Sequence, residues 1–325
     1  MTDATKVKDL EFSDLYLGHP SLADRFSDVP AANANPLSVG PSLRSDLDQL
    51  TRLCRETLSG SQAAREFKVT HDGVTYRVSV MRTMGGDVFV LRKIADAVRS
   101  LTELGVPQAY IRQLMTKNLS GLLIISGSAK AGKTMTACAV VKDRLTAFGG
   151  IAITGEDPIE MPLEGNHGPG ICFQTASGRG DRSAVEALRN LTRWGAQMLF
   201  IDEIRDAETA AEILQASVNG HLIVTTMLAE SVIQTITKLH ALATCKLSAE
   251  SAQALMADGL TGVLHQQIVR GQKHKLETEF LFFKDSPVTK SVLRNGRYEM
   301  LESDIKQQMT SMIAENAAVR RIVER

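Results

Sequence analysis

The chain has 325 residues and a mass of 35.3 kDa, more than one hydrophobic core usually organises, so the length predicts two domains of ordinary size. Hydrophobic residues at 43% and charged residues at 23% exclude a disordered or fibrous chain. Lys plus Arg (37) balance Asp plus Glu (37), so no net charge draws the molecule to nucleic acid or an anionic membrane, and any such contact needs a local patch.

The opening MTDATKVKDLEFSD is polar and acidic where a signal peptide is apolar. No run reaches the ~18 apolar residues of a membrane span, so the expected location is cytoplasmic, or docked on a membrane from that side. Residues 29–41 (VPAANANPLSVGP) carry three prolines and two asparagines without periodicity and predict a loop. From Ser42 to Leu58, apolar residues at Leu43, Leu47, Leu50, Leu53, Cys54 and Leu58 recur at the spacing of one helical face. VTYRVSVMRT and DVFVLRKI then alternate apolar and polar residues on either side of Met84, Gly85 and Gly86, predicting an antiparallel hairpin. The first domain is therefore α+β over residues 1–99, with the hairpin ending near Lys93. Residues 100–120 read as a helical connector with Pro107 near a helix start.

From Gly121 the pattern changes. Apolar runs LLIIS, GIAIT, MLFI and HLIVTT alternate with helical stretches, as in a parallel sheet covered on both faces. Residues 121–325 thus form an α/β domain, in which GVLHQQIVR and EFLFF are strand-like and polar amphipathic helices run to Arg325. The four cysteines, Cys54, Cys138, Cys172 and Cys245, lie far apart without a CxxC pair, which predicts reduced, mostly buried thiols rather than a zinc site or disulfide framework.

After the strand ending at Ser126 comes Gly127-Ser128-Ala129-Lys130-Ala131-Gly132-Lys133-Thr134, a complete GxxxxGK[ST] phosphate loop between strand and helix. Its glycines let backbone N–H groups turn inward around phosphate oxygens, and the helix that follows points its positive end at them. Lys133 is expected to neutralise the β- and γ-phosphates and Thr134 to hold magnesium. The run Met198–Ile201 delivers Asp202 and Glu203 at the end of a strand, where an open α/β sheet binds its ligand. In this Walker B reading Asp202 contacts the magnesium shell and Glu203 orients and polarises the attacking water.

Between these motifs lies Gly155-Glu156-Asp157-Pro158-Ile159-Glu160, and after them Gly220-His221-Leu222-Ile223-Val224-Thr225. EDPIE, DEIRDAETA and GHLIVTT resemble the Asp box, Walker B box and His box of the secretion ATPases, a family that includes type IV pilus assembly and retraction motors and type II and type IV secretion ATPases. Order and approximate spacing match from about Gly121 to Thr226, and weaker similarity covers most of the chain. Size and the short first domain look most like the pilus retraction motor and the conjugative or Dot/Icm-type ATPases.

This resemblance implies a RecA-like P-loop core with a smaller N-terminal PAS-like domain, ATP and Mg2+ as ligands, and a homo-oligomeric, hexameric ring. It also implies an inner-membrane platform protein as partner and a peripheral position at that membrane. It gives Glu156 the role of catalytic or water-positioning carboxylate, with capping of a helix or pairing with an arginine as the alternatives. Arg77, Arg82 and Arg92 on the hairpin, and Arg189 and Arg193 before Walker B, are expected to supply counter-charge, since a guanidinium fork meets two phosphoryl oxygens at once, with solvated surface arginines as the alternative. His221 retains the first His-box position; the alternative is a lone histidine that favours the dipole of the helix predicted to end at Asn219. The second is Leu228, so a γ-phosphate sensor is missing and hydrolysis is expected to be slow or altered in coupling. The leading expectation is a motor of pilus retraction, secretion or conjugation; the competing one is a weakly hydrolysing ATP-gated ring scaffold. A nucleic-acid translocase is disfavoured by the neutral charge and by the lack of a basic stripe with interleaved aromatics.

Overall fold

The alternating apolar and polar residues between Asp14 and Lys93 suit half-buried strands, and in the computed structural model they form an antiparallel sheet. The structure describes residues 6–30, 32–60, 66–176, 188–190, 193–269, 275–284 and 286–311; the predicted helix at residues 312–325 lies outside them. The chain divides into two units with the boundary between Asp96 and Ala97.

In the first unit, β1 (Asp14–Leu17), β2 (Arg25–Ser27), β3 (Leu37–Ser38), β4 (Glu66–His71), β5 (Val74–Thr83) and β6 (Gly86–Lys93) lie in the order β3-β2-β1-β6-β5-β4. Helix α1 (Arg44–Gly60) packs Leu47, Leu50 and Cys54 into one core with Leu15, Tyr76, Val78 and Leu91, all fully buried. Burying each such side chain contributes roughly 1.5–3 kcal/mol. The buried Asp46 of α1 accepts hydrogen bonds from Val7 N at 2.7 Å and from His71 Nε2 at 2.8 Å, and so ties the first residues of the unit to the β4–β5 hairpin.

The second unit begins with a connector less helical than its apolar spacing predicts. Only α2 (Gln108–Leu114) is α-helical; Gly105 takes φ +82 and Pro107 is the N-cap, so a turn and a helix-starting proline interrupt the run. Then follow β7 (Gly121–Gly127), α3 (Lys133–Phe148), β8 (Gly150–Glu156), β9 (Gly165–His167), β10 (Gly170–Ala176), β11 (Met198–Glu203), α4 (Ala207–Ser217), β12 (Leu222–Leu228), α5 (Val232–Ala243), α6 (Ala249–Gly259), β13 (Leu260–Val269), β14 (Lys275–Phe282) and α7 (Pro287–Arg294).

Among the described residues the sheet runs β14-β13-β7-β12-β11-β8-β10-β9, parallel from β13 to β10 with antiparallel strands at both edges. The central strand β7 is buried along its whole length, the expected state for a parallel strand with helices on both faces. Strand β10, which pairs with β8, does not stand out in the sequence because glycine opens it and Gln174 and Thr175 break its apolar pattern. This is a RecA-like α/β core.

The C-terminal part of α3 holds the connector along three consecutive residues. Lys142 Nζ donates to Val98 O at 2.5 Å, and Asp143 accepts from Leu101 N at 2.9 Å. Arg144 Nη1 donates to Leu114 O at 2.5 Å and to Thr116 O at 2.9 Å, and Nη2 donates to Lys117 O at 3.1 Å. Arg144 thereby caps the carbonyl end of α2, and its burial lowers the guanidinium to a pKa of about 10.

Candidate nucleotide site

Strand β7 ends at Gly127 and α3 starts at Lys133, so the predicted phosphate loop occupies the strand-to-helix turn. Glycine is required at its first position: a Cβ on Gly127 would stand 2.3 Å from the backbone oxygen of Gln266. Gly132, at φ +80, takes the left-handed conformation that opens α3. Lys130 is also left-handed at φ +63. Ser128, Ala129 and Lys130 are exposed, whereas Ala131 is buried against β13. Lys133 Nζ folds back to donate to Ser128 O at 2.9 Å, and its pKa is lowered by burial against the opposing fields of Glu203, Glu160 and Asp202. Thr134 is half-buried in the first turn of α3.

Two neighbouring strands deliver carboxylates to the same edge. Strand β11 pairs Ile201 with Thr225 but Glu203 with Thr226, so the register shifts and Asp202 is the bulged residue. Thr225 Oγ1 donates to Asp202 O at 2.6 Å and Ile204 N donates to Thr226 O at 2.9 Å, which fixes the bulge. Such a bulge re-aims side chains, and here Asp202 and Glu203, consecutive at the strand end, are both partly buried. The Asp202 carboxyl sits at a pKa of about 6, raised chiefly by burial and also by Glu160 and Glu156, while Arg205 and the Asp157 backbone N–H pull it down. Arg205 Nε lies 3.2 Å from Glu203 Oε2, and its Nη2 lies 4.0 Å from Asp202 Oδ2.

Glu156 is placed differently from its neighbours. It is 1% exposed, and its Oε1 accepts from Thr154 Oγ1 at 2.6 Å and Gln174 Nε2 at 2.8 Å. Gln174 Nε2 also donates to Met161 O at 3.0 Å, so Glu156 joins β8, β10 and the EDPIE segment. It neither caps a helix nor pairs with an arginine in these contacts. Its carboxyl is raised by burial.

The remaining predicted residues are not brought to the loop within the chain's own second unit. His221 precedes β12, whose first residue is level with Gly121, and its Nδ1 donates to Ala196 O at 2.8 Å. Six residues of β7 separate that level from Gly127, roughly 20 Å at ~3.3 Å per residue. Arg193 lies exposed in the turn that leads to the same end of β11, and Arg189 pairs with Glu212 of α4. Arg77 and Arg92 are directly opposite each other on β5 and β6 of the first unit. Arg77 pairs with Glu66 at 3.2 Å, and Arg92 sends Nε and Nη2 to Asp14 Oδ1 at 3.0 and 2.8 Å.

Leu228, in contrast, is the β12 residue level with Gly127, and it is 40% exposed there. The His-box substitution therefore falls at the loop. Sequence reasoning missed Arg205, Glu160 and Gln266. Arg205 stands two residues after Glu203, and Glu160 closes the EDPIE run, so their motifs could have flagged them; nothing local marks Gln266.

A phosphate loop with paired carboxylates on adjacent strands, all at the C-terminal edge of a parallel sheet, defines a P-loop nucleotide-binding fold. The family described as "Type II/IV secretion system protein" matches residues 61–325, and the chain belongs to it. It is 32% identical over 202 residues to the type II secretion system protein HxcR of Pseudomonas aeruginosa, covering 61% of this chain and 40% of that protein. It is 31% identical over 199 residues to the type IV pilus assembly ATPase TfpB of Acinetobacter baylyi, covering 60% and 32%. The chain thus matches less than half the length of these curated relatives.

The fold is also that of the pilus retraction motor PilT, solved with bound ADP, at TM-score 0.70 and 20% identity over 93% of this chain and 87% of that one. The Legionella pneumophila ATPase DotB gives TM-score 0.71 and 19% identity over 91% and 84%. Among the described residues no helix is long and apolar enough to cross a membrane.

Proposed function

We propose that the chain is an ATP-hydrolysing subunit of a hexameric motor that powers type IV pilus retraction or type IV secretion and conjugative transfer. The observation that carries this reading is the convergence of Lys133 with Asp202 and Glu203 beside a glycine loop at one edge of the sheet. The names of TfpB, PilT and DotB support the motor assignment. In this reading residues 1–99 form the N-terminal domain, 100–120 the connector and 121–325 the ATPase domain. The motor works on the cytoplasmic side of the inner membrane, against a platform protein embedded there.

The Thr134 hydroxyl and Asp202 carboxylate are the hard oxygen donors that suit Mg2+, which when bound with ATP neutralises charge on the β- and γ-phosphates. The loop N–H groups and Lys133 bind the phosphates. Glu203 orients water for attack, and Arg205 holds that carboxylate in place. Glu156, whose Oε1 is held by Thr154 and Gln174, is the second carboxylate that positions the attacking water, with Glu203. Arg77, Arg92, Arg189, Arg193 and His221 act on a neighbouring subunit's nucleotide or as structural partners within their own.

Steady-state phosphate release by the purified oligomer tests the reading. Lys133→Ala and Glu203→Gln are each expected to lower the rate at least ~100-fold, the scale of losing one preorganised charged group at a phosphoryl centre. Equal rates in all three proteins exclude the motor. The second reading, an ATP-gated ring scaffold with little turnover, is favoured by the exposed apolar Leu228 beside Gly127. It predicts retained ATP binding with near-background hydrolysis in the unmodified chain.

A further inference from the structure

Gln266 lies on β13 beside the phosphate loop, is 1% exposed, and donates from Nε2 to the backbone oxygen of Ala131 at 2.6 Å. Its other polar atom, Oε1, is buried without a hydrogen-bond partner among the described residues. A glutamine kept only to fill space leaves an orphaned acceptor at a cost of about 1–3 kcal/mol, which an apolar side chain of equal length avoids. The donor half of the amide therefore marks what the residue does.

Ala131 O and the N–H of Gly132 belong to one peptide unit. A trans peptide is planar, so its C=O and N–H point in opposite directions. Pinning the Ala131 carbonyl to Gln266 of β13 turns the Gly132 N–H the opposite way, away from that amide. The left-handed φ of +80 at Gly132 and the close approach of Gln266 Nε2, 3.4 Å from where a Cβ on Gly132 would stand, belong to the same arrangement. Without the amide donor, the carbonyl loses its buried partner and the peptide is free to rotate. A carbonyl oxygen facing the cradle would then repel an anion where an N–H should attract it.

We infer that Gln266 is a positioning residue for polyphosphate binding: it fixes the 131–132 peptide plane so that the Gly132 N–H faces the anion. This rests on the proposed nucleotide function, and it adds a residue 133 positions away in sequence from Lys133 (266 − 133) that touches no phosphate itself.

Calorimetric titration of the full chain with ADP and with inorganic pyrophosphate tests it. Gln266→Met keeps length and volume but removes the donor, and is expected to weaken both ligands about tenfold, equivalent to about 1.4 kcal/mol. Ile268→Ala, whose side chain would stand 3.7 Å from a Cβ on Gly132, loses packing at the same place but keeps the donor and is expected to bind both ligands as the unmodified chain does. Gln266→Glu, an acceptor only when ionised, is expected to lose at least as much affinity as Gln266→Met. Unchanged pyrophosphate affinity in Gln266→Met overturns the inference, and so does an equal loss in Ile268→Ala, which makes the effect one of packing. Failure of the unmodified chain to bind ADP or pyrophosphate overturns the nucleotide reading itself; binding by the unmodified chain with loss in Lys133→Ala keeps that reading whatever Gln266 does.

Discussion

The two edges of the parallel sheet carry opposite kinds of chemistry. At the N-terminal edge polar groups answer one another: Gly121 N donates to His221 O at 2.8 Å, Leu222 N to Gln197 O at 3.1 Å, Ile151 N to Gln197 Oε1 at 2.7 Å, and His221 to Ala196 O. At the C-terminal edge residues 128–130 of the glycine loop are exposed, a bulge interrupts the strand register at Asp202, and burial raises the Asp202 carboxyl to a pKa of about 6. Parallel strands make this asymmetry natural, because the helix N-termini, with their free N–H groups, all follow the C-terminal edge. The N-terminal edge pairs mostly backbone groups, whereas the C-terminal edge gathers charged side chains beside an exposed loop.

The largest expected break of this contrast is Gly127→Ala. A methyl group 2.3 Å from the Gln266 backbone oxygen forces β7 and β13 apart, and a loss of at least ~3 kcal/mol in stability is expected together with nucleotide binding, read by denaturant unfolding and calorimetry. Asp202→Asn should act with opposite signs on stability and function. Because the folded carboxyl sits near 6 against an ordinary 3.8, it favours the folded state fully below pH 3.8, and that contribution is lost as pH rises through about 6. In metal-free buffer at pH 7.5 the Asn variant should therefore melt a few degrees above the unmodified chain, about 3 °C or more, with the gap closing towards pH 4. A gap that widens on acidification contradicts the assignment. The smallest effect is expected at the other edge: His221→Ala should lose about 1 kcal/mol of stability with its Ala196 hydrogen bond, and leave nucleotide affinity within about twofold. A large affinity loss there would show that the two edges communicate.

The loop, the carboxylate pair and the alternation of buried strands were legible because each is a local pattern, fixed by covalent spacing and by the period of the strand. What escaped the sequence depends on pairing across distance. Glu156 is legible as an acid in EDPIE, but that β10 brings Gln174 onto its carboxylate shows only once β10 is paired with β8. His221 and Leu228 share one short motif, yet a strand separates its two ends, and only the register with β7 shows that Leu228 stands level with Gly127. Gln266 had no signal at all, because its role depends on β13 lying beside β7. The connector misled for the opposite reason: its apolar spacing is helical, but Gly105 and Pro107 interrupt it locally.

Helix α3 touches two things that differ in purpose, the loop at its first residue and the connector at Lys142, Asp143 and Arg144. Its sixteen residues span roughly 24 Å. An α-helix resists compression and bending, so it behaves as a strut. Under the proposed function, a shift of Lys133 on anion binding would be carried to Val98, Leu101 and the end of α2, and the chain there runs back to Asp96 at the unit boundary. For the proposed motor, this one helix is the continuous element between the glycine turn and the segment joining the two units.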